Sequence, residues 1–97
     1  MSERDDLRAL LHAALPELRQ QRPIRSLAIF GSVARNEATE ESDLDVLVEF
    51  ERPISLSEFL ALEIKLAGLT GRHVDLVTQR ALKPFIGRRI LSEAIPV

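Results

Sequence analysis

Apolar residues recur along this chain in two alternating rhythms. Leu7, Leu10, Leu11, Ala14, Leu15 and Leu18 repeat at helical spacing, which predicts an amphipathic helix over about residues 4–21. Pro16 falls inside that pattern and, lacking a backbone N–H, is expected to kink or divide the helix. Pro23 ends the segment, and Leu27-Ala28-Ile29-Phe30 then reads as a short buried strand broken by Gly31-Ser32. Ser32 stands where an N-cap would, ahead of one or two helical turns over Val33 to Asn36. Residues 37–42 are polar and loop-like. From Asp43 to Phe50 the rhythm becomes alternation, with Leu44, Val46 and Val48 on one face and Asp43 and Asp45 on the other.

The second half repeats the scheme. Ser55-Leu56-Ser57-Glu58 has capping-box spacing, and Phe59, Leu62, Leu66 and Leu69 follow on one helical face. Gly68 and Gly71 mark the end of that helix. His73-Val74-Asp75-Leu76-Val77 predicts a third strand. Pro84, a favoured first-turn residue, opens a last helix to about Ala94, with Ile86, Ile90, Leu91 and Ala94 as its buried stripe. The order α-β-α-β-α-β-α over 97 residues predicts one α/β (α+β) domain, residues 1–97, in which helices pack on a small mixed sheet of about three strands.

Composition narrows the functional classes. Thirteen basic and fifteen acidic residues give a net charge of −2, which supplies no global basic field for a long nucleic acid. The local exception is Arg80, Lys83, Arg88 and Arg89, and the exposed side of the last helix there reads as a solvated face or a docking surface. Four Phe, no Trp and no Tyr leave little for a base-stacking platform. There is no cysteine, hence neither disulfide nor thiolate metal site. No apolar run reaches membrane-spanning length, and the polar start Met-Ser-Glu-Arg-Asp-Asp lacks the apolar segment of a signal peptide, so a cytoplasmic location is expected.

The chemistry lies in the acids. Asp43 and Asp45 are two apart on a strand and so share a face, where two like charges must shift their pKa values or find a cation. A hard ion such as Mg²⁺ takes one or two carboxylates together with substrate phosphates. Asp75 interrupts an otherwise apolar strand and can face the same side if the strands are neighbours. Three converging carboxylates could then hold two ions roughly 3.5–4 Å apart, the arrangement used for in-line phosphoryl displacement. Upstream, Phe30-Gly31-Ser32 joins a strand to a helix start, where backbone N–H groups and a hydroxyl could cradle phosphate. Taken singly, the acids also fit charges on an exposed edge strand, and Gly31-Ser32 also fits an ordinary turn.

Together these positions carry a resemblance. The stretch from Gly31-Ser32 through Arg35 to Ser42-Asp43-Leu44-Asp45 resembles the signature of the polymerase-β-like nucleotidyltransferase superfamily, and within it the minimal, MntA-like nucleotidyltransferases. The resemblance extends over the whole chain, including Asp75 and the final helix. It implies a nucleotidyltransferase fold and transfer of AMP from ATP to a hydroxyl, with loss of pyrophosphate. It further implies Asp43, Asp45 and Asp75 as catalytic and metal-holding residues for two Mg²⁺ ions, and Gly31 and Ser32 on the leaving phosphates. Arg35 reads as a phosphate contact or a salt bridge, Ser42 as a local support for Asp43, His73 as a satisfied strand histidine and His12 as a surface residue.

The acceptor is less defined. No acceptor-binding domain is expected within these 97 residues, so a second polypeptide or a second copy is expected to complete the site. The resemblance implies a HEPN-family toxin as partner, with AMP placed on a tyrosine of that toxin and this chain acting as antitoxin. With no tyrosine in the chain, such an acceptor must belong to the partner. The reading from another class is a binding module that neutralises its partner by contact alone.

Overall fold

Helix α1 (Glu3–Gln21) begins where Ser2 caps it, its hydroxyl accepting from the Asp5 N–H at 3.2 Å. Glu3, Asp5 and Asp6 fill the first turn, where negative charge favours a helix start. Of its predicted stripe, Leu7, Leu11, Leu15 and Leu18 are buried and Ala14 is half-buried, whereas Leu10, at the margin of that face, is exposed. The helix is not divided at Pro16. Pro16 is exposed, and the buried leucines on either side hold the helix as one element. The computed structural model describes residues 2–81 and 84–97, the last helix by its backbone alone over 84–86.

Strand β1 (Ile24–Phe30) is three residues longer than the apolar run predicts. A one-turn helix α2 (Gly31–Ala34) follows, then β2 (Leu44–Phe50). Helix α3 (Leu56–Thr70) is capped by the Ser55 hydroxyl, which accepts from the Glu58 N–H at 3.2 Å. It ends at Gly71 with φ +67°, while Gly68 is an interior helical residue. Strand β3 (Val74–Thr78), a 3₁₀ turn (Gln79–Ala81), helix α4 (Pro84–Glu93) and a two-residue strand β4 (Ile95–Pro96) complete the order.

Among the described residues the sheet has four strands, ordered β3-β2-β1-β4. It is mixed as expected: β1 and β2 pair antiparallel, β2 and β3 parallel, and β4 adds antiparallel to β1. The fourth strand escapes the sequence pattern because two residues carry no periodicity. Leu44, Val46 and Val48 are fully buried on the face shared with the stripes of α1 and α3, and with Leu11, Ile29, Leu62 and Leu66 they form the core. On α4, Ile90 and Ala94 are half-buried, whereas Leu91 is 48% exposed and does not join a buried stripe. Ile86 and Lys83 lie outside the residues whose side chains are described. Among the described residues, no helix is long and apolar enough to cross a membrane.

Candidate active site

Because β2 is central, its outward residues have a strand on either side. Asp45 is level with Phe30 of β1 and with Asp75 of β3. Gly31 follows Phe30 directly, so Gly31, Asp45 and Asp75 form a row across one end of the sheet. This placement removes the edge-strand alternative for Asp45. Asp75 itself is exposed, on an edge strand.

Contact within the row is close. A Cβ placed on Gly31 would collide with Asp45 Oδ2 and stand 3.0 Å from its Cγ. Gly31 also has φ +74°, a conformation that L side chains rarely adopt. The turn is thus restricted to glycine by its backbone and by the carboxylate against it. Burial first, then the charges of Asp75 and Asp43, pushes the Asp45 carboxyl above its ordinary value, and Arg35 pulls it partly back. The three acids therefore share one field.

Asp43 precedes β2 and is exposed, its Oδ1 3.2 Å from His73 Nδ1. His73 is 81% exposed and pairs with that acid, rather than being satisfied within a strand. Ser32 is the second residue of α2 and not its N-cap; Phe30 holds that position, with no side-chain cap. The reason is that Gly31, in its left-handed conformation, already turns the chain into the helix. Arg35 makes two ion pairs, to Glu37 at 3.0 Å and to Glu93 of α4 at 2.9 Å. Ser42 closes the turn before Asp43, its hydroxyl accepting from the Thr39 N–H at 2.9 Å. His12 is exposed, with Nδ1 2.9 Å from the Val97 carbonyl oxygen.

Two arginines at the margin of the site carry no sequence motif. Arg4 donates to the Ala34 carbonyl at 3.1 Å, tying α1 to α2. Arg72 donates to the carbonyls of Thr39 and Ser42. A cation just after a helix-ending glycine was the only signal for Arg72, and its partners lie thirty or more residues away.

Among the described residues, no three His, Asp or Glu side chains stand close enough to hold a metal ion by themselves. The donor chemistry still fits a hard divalent cation. Asp45 is destabilised as a carboxylate by burial and then by two neighbouring carboxylates, and Mg²⁺ commonly completes its shell with substrate phosphates.

A profile of the nucleotidyltransferase domain family matches residues 11–97. The chain is 41% identical over 93 residues to protein adenylyltransferase MntA of Thermococcus cleftensis, covering 96% of this chain and 94% of that protein. Among solved structures it is similar to a minimal nucleotidyltransferase, with TM-score 0.83, 42% identity and coverage of 100% and 97% of the two chains. Its fold is also similar to that in a structure of tri-AMPylated Shewanella oneidensis HEPN toxin in complex with MNT antitoxin, with TM-score 0.61, 19% identity and coverage of 97% and 67%. The matched span takes in both acidic strands, the Gly31 turn and the last helix, and on that match the chain belongs to the nucleotidyltransferase domain family.

Proposed function

We propose that this enzyme transfers AMP from ATP to a tyrosine hydroxyl of a HEPN-type toxin and so acts as the antitoxin of a cytoplasmic pair. The observation that carries the chemistry is the row of Gly31, Asp45 and Asp75, with Asp43 in the same field. Asp43 and Asp45 would hold Mg²⁺ together with the nucleotide's phosphates, and Asp75 would serve the acceptor. Mg²⁺ bound there would supply charge neutralisation on the phosphates and on the attacking oxygen.

The acceptor oxygen forms a bond to the α-phosphorus, the bond from that phosphorus to the β-bridging oxygen breaks, and pyrophosphate departs. Asp75 takes the acceptor's proton, directly or through water. The Gly31 backbone and Ser32 hold the departing phosphates, with nothing larger than hydrogen between the Gly31 backbone and Asp45. Arg35, held by Glu37 and Glu93, contributes positive field to Asp45 rather than a free phosphate hook. The partner assignment is supported by the relative named a protein adenylyltransferase and by the AMP-bearing toxin in the distant structural neighbour. The absence of tyrosine from this chain agrees with an acceptor supplied by the partner.

The test is transfer of label from α-labelled ATP with Mg²⁺ to a HEPN partner, by wild type, Asp43→Asn and Asp45→Asn. The expected result is labelled partner tyrosine with wild type and a loss of at least about a hundredfold in each variant. Transfer that survives both substitutions sinks the acid assignment. Neutralisation of the toxin by both inactive variants would favour a contact-only antitoxin.

A further inference from the structure

We propose that Arg72 is a positioning residue that sets the acids at the entry to β2, Asp43 and Asp45, against β3. This rests on the reading of Asp43 and Asp45 as the acids that hold the nucleotide's metal. The Arg72 side chain is only 10% exposed, although it is charged. A guanidinium is costly to bury unless its donors are used, and here they are. Nη1 donates to the Thr39 carbonyl at 3.2 Å and to the Ser42 carbonyl at 3.0 Å, while Nη2 pairs with Glu3.

Those two carbonyls bracket the turn that ends immediately before Asp43. The turn is closed internally by the Ser42 N–H donating to the Thr39 carbonyl and by the Thr39 N–H donating to Ser42 Oγ. Its backbone partner across the sheet begins one residue after Arg72, where the His73 carbonyl accepts from the Leu44 N–H at 2.9 Å. One guanidinium therefore ties the approach to Asp43 and Asp45 to the start of the strand that carries Asp75. It also ties both to the first turn of α1 through Glu3. Its three connections leave from the two terminal nitrogens of a planar fork, which lysine, a point charge, does not reproduce.

A staple that contributed stability alone would leave the folded enzyme's rate untouched, and this difference is what the experiment reads. Arg72→Met keeps the apolar stem and removes the fork. Its kcat for AMP transfer to the HEPN partner is expected to fall by about a hundredfold, the scale of a misplacement of roughly 1 Å, with KM for the partner unchanged. Millimolar guanidinium is expected to restore part of the rate. Leu62→Ala, a core variant of α3, provides the comparison: it loses stability and keeps kcat when folded. Should Arg72→Met not fold, Arg72→Lys takes its place with the same expectation.

Wild-type kcat in the variant, or an equal loss of kcat in Leu62→Ala, overturns the proposal. Amide hydrogen exchange supplies a readout independent of catalysis. Exchange at Ser42–Leu44 is expected to accelerate while the interior of α3 is unchanged, and unaltered exchange there overturns positioning. If wild type shows no transfer sensitive to Asp45→Asn, the functional reading fails, and exchange alone then decides the role of Arg72.

Discussion

Gly31 and Gly71 both have positive φ, +74° and +67°, yet only one of them bears on the site. A Cβ on Gly71 meets nothing within 4 Å, whereas one on Gly31 strikes the Asp45 carboxylate. Gly71→Ala should therefore cost only the left-handed backbone penalty, about 1–2 kcal/mol, and leave transfer intact. Gly31→Ala should cost that much and also displace Asp45, lowering transfer by about a hundredfold. Urea unfolding and label transfer on both variants check this, and equal activity in the two would contradict the packing of Gly31 on Asp45. At this scale the sequence pattern identifies residue types well and contacts poorly. Ser32 looks like a cap but follows a glycine that has already turned the chain, and Arg72 looks like an ordinary surface cation.

Elements respond to local rules until packing overrides them. Helix α1 keeps Pro16 in its interior because Leu11, Leu15 and Leu18 anchor it on both sides. Pro16 is exposed, so Pro16→Ala should raise stability by up to about 3 kcal/mol, the usual penalty of interior proline, with transfer unchanged. A lower unfolding midpoint in that variant would mean that proline fits this backbone better than alanine. Helix α3 follows its sequence except at Gly68, which lies inside it: Ser55 caps it, Gly71 ends it and Leu62 and Leu66 are buried. Ser55→Ala should cost about 1 kcal/mol by denaturant unfolding and nothing in transfer. For α4, Leu91 falls at core spacing but is exposed. A helix at the margin of a small sheet has less than a full stripe to bury, and periodicity alone cannot show how much cover it finds.

At the scale of the whole molecule, burial and the pairing of two strands, β2 and β3, leave Asp45 half-buried among like charges, and that has a consequence for pH. The folded-state pKa of Asp45 stands above its ordinary value of 3.8, so proton uptake favours the folded chain. This contribution is fully present below the unfolded value and is lost as pH rises through the folded one. In EDTA at pH 7, Asp45→Asn should accordingly melt higher than wild type, with the gap closing as pH falls through the raised value toward 3.8. Thermal unfolding across that range checks it, and no gap at neutral pH would mean that neither burial nor the neighbouring acids penalise the Asp45 carboxylate. The sequence by itself determined the order of the four helices and first three strands, most of the buried faces of α1, β2 and α3, and the spacing of the acids, because periodicity, capping and motif spacing are local properties. Only the tertiary structure decided that β2 is central, that Asp45 is level with Asp75, and that Gly31 lies against that carboxylate. It also decided that Arg72 reaches Thr39 and Ser42. These facts depend on which strands pair and in what register, and the energy that sets register comes from core packing between segments far apart in the chain.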